Sequence, residues 1–359
     1  MADRRIIVVA GMHRSGTSAM TRGLQALGVN LGEQLLPAAL NDNEKGFFED
    51  IEVNQLNIDL LHALDSNWDA FPAIPAHVFC QERLEPYRVR AAHIIADKMV
   101  GDRPLGLKDP RMARLLPFWQ SAFAHNKAEV SYVIAVRNPM SVAQSLMRRD
   151  GFAYEKSYFL WLGHIVPAVL NTRGFRRVVV SFDLLISDPY AQLHRTAHAL
   201  GLPYDSGSPG VREYAGDFLD ATLRHAECDL KDLRADSAAP LDVISTYEML
   251  LRLALDEVSV DAREVEELFM RVQANLDNFR AAFNYMVRSD RTIVEHDEHI
   301  ARIQQERDRQ IAERDCQIAE RDARIHQLLN SRSWKVTRPL RAMTHFVRSL
   351  TGQPGQDGT

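Results

Sequence analysis

Four β-branched residues, Ile6-Ile7-Val8-Val9, lead through Ala10 into Gly11-Met12-His13-Arg14-Ser15-Gly16-Thr17-Ser18, and Met20, Leu24 and Leu27 then recur at helical spacing. Strand, glycine-containing loop and helix N-terminus in that order constrain the fold more than any other feature of the chain. They bring backbone N–H groups and the positive end of a helix dipole to one point, which suits a phosphate. The spacing Gly11-x4-Gly16 is that of a Walker A loop, yet Thr17 stands where a nucleoside triphosphatase carries the lysine that reaches the β- and γ-phosphates. Without that lysine the loop fits a nucleotide with a single 5′-phosphate group, Arg14 and the hydroxyls of Thr17 and Ser18 supplying the further donors.

From Met1 to about Leu202 short β-branched runs alternate with amphipathic helical stretches. Val130 to Val136 and Val178 to Val180 are each followed by a helix, as Ile6 to Ala10 is. This alternation predicts an α/β, P-loop-like three-layer fold with a central parallel β-sheet. The core is expected over about 1–202 and a helical part over about 203–288, so that 1–288 is one domain. In the helical part Ile244, Tyr247, Leu250, Leu251 and Leu255 form an apolar stripe, and Ser206 to Gly210 reads as a loop.

Beyond Ser289 the chain is almost wholly charged, and a C-terminal helical extension with a heptad-like helix is expected over 289–330. Ile311, Ile318 and Ile325 lie seven apart in a tandem repeat, but the other core position holds Arg314 and Arg321 before Leu328. A solvated spacer and a homo-oligomer contact are both open readings. Residues 331–350 interleave Arg332, Lys335, Arg338, Arg341 and Arg348 with Trp334, Val336, Leu340, Met343, Phe346 and Val347. Such a basic amphipathic tail either touches a membrane surface or docks on the protein itself. Residues 351–359 are expected to be disordered.

Three cysteines, Cys80, Cys228 and Cys316, lie far apart with no CxxC spacing, which points to a reducing, cytoplasmic setting, peripheral at the inner membrane face if the tail binds lipid. The apolar run Ile6 to Ala10 is short for a signal peptide, and Phe159 to Leu170 is short for a membrane span. A net charge of −5 leaves any attraction for anions to local clusters of Arg and Lys, and no nucleic-acid partner is expected.

A second element, Tyr132-Val133-Ile134-Ala135-Val136-Arg137 followed by Asn138 to Ser145, is a buried strand ending in arginine and then a helix. Arg137 and Ser145, in the helix's second turn, can both face one phosphate. Between the two elements stands Gly106-Leu107-Lys108-Asp109-Pro110-Arg111. After them come Val180-Ser181-Phe182-Asp183-Leu184-Leu185, then Asp188-Pro189 and Leu200-Gly201-Leu202. Together these segments resemble the sulfotransferase superfamily over about Ile6 to Leu202. The arginine-containing loop is nearer the tyrosylprotein and heparan-type branch and bacterial relatives than the cytosolic branch. There is no Arg-Lys-Gly segment like that of the cytosolic enzymes and no obvious residue to stack on an adenine.

The resemblance implies a donor co-substrate, 3′-phosphoadenosine 5′-phosphosulfate, and no metal. The donor's 5′ end would be held by Arg14, Ser15, Gly16, Thr17 and Ser18, and its 3′-phosphate by Arg137 and Ser145. Arg14 and Lys108 are the candidates for stabilising charge in the transition state. Asn43 to Asp50 resembles two different relatives; one alignment selects Glu49 as general base and the other Glu44, and Glu49 is preferred, with Glu33 and His13 open. The implied acceptor is a carbohydrate or glycolipid hydroxyl. A small-molecule P-loop kinase is the rival on the same fold. A non-catalytic nucleotide-binding scaffold is the rival of another class.

Overall fold

The computed structural model describes residues 4–39, 43–71, 73–219 and 228–351. Two compact units divide the chain, Met1–Val287 and Arg288–Thr359. In the first, strand β1 (Arg5–Gly11) is followed by α1 (Thr17–Ala26), α2 (Ile51–Ala63), α3 (Glu85–Lys98), β2 (Leu105–Lys108) and α4 (Met112–His125). Then come β3 (Glu129–Val136), α5 (Pro139–Asp150), α6 (Tyr154–Leu170), β4 (Arg176–Ser181), α7 (Phe182–Ser187) and α8 (Pro189–Leu200). Helices α9 (Pro209–Glu213), α10 (Leu230–Ala235), α11 (Leu241–Ala254) and α12 (Arg263–Asn278) complete it, and α13 (Arg280–Leu329) runs on past its end.

The four strands form one parallel sheet in the order β2-β1-β3-β4. Because helices cover both faces, the strands are buried on both and read as continuous apolar runs rather than alternating ones. Ile6, Val8, Ala10 and Tyr132 point to one face, against Leu56 and Leu60 of α2, Ile95 of α3 and Trp119 of α4. On the same side Ile134, Val136 and Val179 meet Trp161 and Ile165 of α6 and Leu250 of α11. Ile7, Val9, Val133 and Val180 point to the other face, against Met20 and Leu24 of α1 and Leu193 of α8. Each of the valine, leucine, isoleucine and methionine side chains taken out of water contributes about 1.5–3 kcal/mol.

Local chemistry starts and stops the helices that flank the site. Asp50 caps α2 through the N–H groups of Glu52 and Val53, and Asn138 caps α5 through that of Met140, with Pro139 in the first turn. Gly151 ends α5 in the left-handed region that glycine tolerates best.

Details differ from the sequence reading. Pro209 and Gly210 form the first turn of α9, capped by Ser208, so of that segment only Ser206 and Gly207 are a turn. On α11 the buried residues are Val243, Thr246, Tyr247, Met249, Leu250, Leu253 and Ala254. Leu255 follows the last turn and is exposed, because the stripe drifts round the helix with its 3.6-residue period. Strand β2 carries no β-branched run: Leu105 and Leu107 alternate with Gly106 and Lys108, so its sequence does not mark it as the other three strands are marked.

In the second unit α13 carries Ile311, Ile318 and Ile325, all about half exposed. The tail forms two helices, α14 (Arg332–Val336) and α15 (Arg338–Thr351); Thr351 of the end expected to be disordered is thus helical, and 352–359 lie outside the described residues. Among the described residues no helix is long and apolar enough to cross a membrane.

Candidate functional site

Strand order sets where a ligand can enter. The chain goes from β1 to its neighbour on one side and then crosses to β3 on the other, so the connections leaving β1 and β3 diverge and open a crevice at the strands' C-terminal ends. A cleft of about 440 Å³ lies there. Every strand end contributes to it: the loop from Gly11 to Gly16 after β1, Lys108 at the end of β2, Arg137 after β3 and Phe182 after β4. Its lining holds six cationic side chains, those of Arg14, Lys45, Lys108, Arg111, Arg137 and Arg149, against the carboxylates of Glu49 and Asp150. The net charge of the chain is negative, but the cleft is locally strongly positive, as an anionic ligand requires.

The loop after β1 is tight. Gly11 packs so closely on β3 that a Cβ there would lie 2.7 Å from the Ala135 carbonyl oxygen. Arg14 and Gly16 have left-handed backbones, φ 65° and 78°. Gly16 caps α1 without any side chain, so the first N–H groups of that helix are left for an external acceptor. A Cβ on Gly16 would sit 2.2 Å from the Phe182 ring. Gly16→Ala is therefore expected to cost about 1–3 kcal/mol from the backbone conformation alone, with the clash added, and to lower Tm in thermal unfolding.

Arg14 joins two regions that the sequence kept apart. Its Nε donates to Ser145 Oγ at 2.8 Å, and its carbonyl oxygen accepts from Arg137 Nη1 at 3.2 Å. The Arg14 guanidinium thus reaches α5, while Lys108 occupies the opposite side of the loop. Arg137 is buried, its guanidinium lies 4.7 Å from the Phe182 ring centre, and its Nε and Nη2 find no hydrogen-bond partner among the described residues. Burial pushes its pKa down, partly offset by Asp183. Ser15 Oγ is likewise buried without a partner. Buried donors left unpaired are costly, so these atoms are arranged for a guest with acceptor oxygens.

Lys108 anchors the second cluster. Its Nζ donates to Glu49 Oε1 at 2.6 Å, to the Phe47 carbonyl at 3.0 Å and to Ser18 Oγ at 3.1 Å. Ser18 Oγ in turn donates to the Phe47 carbonyl and accepts from Asn43. Glu49 Oε2 accepts from Asn54 at 2.9 Å and lies 3.9 Å from Arg111 Nη1. Burial raises the Glu49 pKa, against the pull of Lys108 and with the help of Asp109. Thr17 is buried in the first turn of α1.

The candidate bases separate by position. Glu49 and His13 line the cleft, whereas Glu33 and Glu44 are exposed outside it. The His13 ring is 4.5 Å from Trp68 and 6.2 Å from His164, and its Nε2 is buried without a partner among the described residues. Burial, then Arg111 and His164, hold the His13 pKa well below the usual imidazole range.

Sequence reasoning missed Asn54, Trp68, Arg111, Arg149, Phe182 and Phe218 in the lining. Two carried a signal: Asn54 stands one turn beyond the capping Asp50, and Arg111 ends the Lys108 segment. The aromatic rings and Arg149 carried none, since only folding brings them to the cleft.

No protein-family model matches the chain, and no curated protein matches it. The chain is similar to sulfotransferase domains of known structure. The sulfotransferase domain of the Synechococcus PCC 7002 olefin synthase is 18% identical over 69% of this chain and 94% of that one, with a TM-score of 0.41. The sulfotransferase domain of the curacin biosynthetic pathway is 14% identical over 75% and 97%, with a TM-score of 0.37. Sulfotransferase STF1 from Mycobacterium tuberculosis H37Rv is 15% identical over 71% and 77%, with a TM-score of 0.33.

Proposed function

We propose that this chain is a sulfotransferase that moves a sulfuryl group from 3′-phosphoadenosine 5′-phosphosulfate to a carbohydrate or glycolipid hydroxyl. The observation that carries the reading is the buried Arg137, with two unpaired guanidinium nitrogens, beside a Walker-spaced loop that has Thr17 in the lysine position. One cradle suits a 5′-phosphosulfate and the other a separate phosphate, which together describe a nucleotide phosphorylated at both ends.

The donor supplies an activated sulfur whose bond to the bridging oxygen is weak. As the acceptor oxygen bonds to sulfur, that bridging bond breaks and its electron pair leaves with the 5′-phosphate. Lys108, fixed by three oxygen partners, presents a cation to the oxygens on which charge grows. Glu49 takes the acceptor proton, its raised pKa making it a better base than an exposed glutamate. Arg14 bridges the phosphosulfate loop to Ser145, tying the two ends of the donor site together.

Trp68, His13, Arg149 and Asp150 line the same cleft, joining an apolar ring to hydrogen-bonding groups. A sugar offers both a CH face and hydroxyls to such a wall.

Radiolabelled sulfate from the donor is expected to pass to a polysaccharide or glycolipid fraction without added magnesium. Calorimetry is expected to show 3′-phosphoadenosine 5′-phosphate binding without a divalent cation. Indifference to both nucleotides, together with binding of ATP and magnesium, would assign the chain to the kinases instead. Nucleotide binding with no transfer to any acceptor would leave a scaffold.

A further inference from the structure

The second unit ends in a surface that nothing in the sulfuryl-transfer reading uses. Leu340, Met343, Phe346, Val347 and Leu350 of α15 follow one another at helical spacings of three, three, one and three, and are between 53% and 71% exposed. Arg338, Arg341 and Arg348 occupy the opposite side of the same helix. Between Ser331 and Leu350 there are five Arg and Lys residues and no Asp or Glu. Between α14 and α15, the Arg341 guanidinium lies 3.6 Å from the Trp334 ring centre and donates to the Trp334 carbonyl, which ties the exposed indole to the basic side of α15.

We propose that α14 and α15 lie in the plane of an anionic lipid surface, with the apolar row in the acyl boundary and the arginines among the phosphates. Charge selects this occupant. A second copy of the helix would bring together two segments of the same sign with no carboxylate to pair them, whereas anionic headgroups supply the missing charge. At 14 residues α15 is short of the roughly 20 that a span needs, so it lies on the bilayer rather than across it.

Co-sedimentation of the full chain with vesicles tests this. The chain is expected to pellet with phosphatidylcholine mixed with phosphatidylglycerol and to stay in solution with phosphatidylcholine alone, since each cation strengthens partitioning about fivefold at an anionic surface. Arg338→Gln with Arg348→Gln should weaken binding about 25-fold, and Phe346→Asp with Leu350→Asp should abolish it. Undiminished binding by either variant, or none by the wild type, overturns the proposal. So does a concentration-dependent mass that the aspartate variant removes while vesicles go unbound, which assigns the face to a second copy. Unaltered binding of 3′-phosphoadenosine 5′-phosphate by the variants separates this outcome from failure of the catalytic reading.

Discussion

Arg137→Ala is expected to weaken binding of 3′-phosphoadenosine 5′-phosphate by about 10²-fold or more while changing affinity for adenosine 5′-phosphosulfate by a few fold. Two of its nitrogens are buried and unpaired, and each charge-assisted hydrogen bond they make to a phosphate is worth roughly 1.5–3 kcal/mol. At 1.4 kcal/mol per decade, two such bonds amount to at least that loss. The smaller effect on the second nucleotide arises because Arg137 Nη1 also steadies the Arg14 carbonyl in the 5′ loop. Arg137→Lys keeps the charge but not the planar fork, and should fall between. Equal losses for both nucleotides in calorimetry would remove Arg137 from the 3′ site.

Turnover should fall by about 10²–10³-fold in Lys108→Ala, because a fixed cation beside the developing charge is lost. Glu49→Gln should fall comparably, and the pH profile distinguishes the two. A base works only when deprotonated, so kcat/KM should rise with pH as Glu49 ionises. Since burial raises its pKa, that rise should come at higher pH than for an exposed glutamate. Lys108 opposes that shift, so Lys108→Ala should move the rise to still higher pH. In Glu49→Gln it should vanish. His13→Asn should leave it in place, because burial keeps the imidazole neutral across this range. A profile that survives Glu49→Gln and is lost in His13→Asn would make His13 the base.

These two residues also show where sequence reading stops. Arg137 was legible because a strand's end is marked locally: five buried residues from Tyr132 to Val136, then arginine, then Asn138 and Pro139, which begin a helix. Glu49 was preferred only by resemblance, and Asn43 to Asp50 reads equally well with Glu44. Folding separates the two. A positive φ at Phe48 and the Asp50 cap turn Glu49 inward to Lys108, 59 residues away in sequence, while Glu44 stays exposed on the surface.

The same division holds for the whole chain. By itself the sequence determined the parallel α/β core, the glycine-containing loop between β1 and α1, the charged helix and the basic tail, because strand runs, glycine spacing and helical periodicity are short-range properties of neighbouring residues. Only the tertiary structure decided that Arg14 spans to Ser145, that Glu49 meets Lys108, and that Phe182 closes on Gly16. Those contacts depend on strand order and on which strand ends open onto one crevice, and no local pattern encodes the direction in which the chain crosses its own sheet.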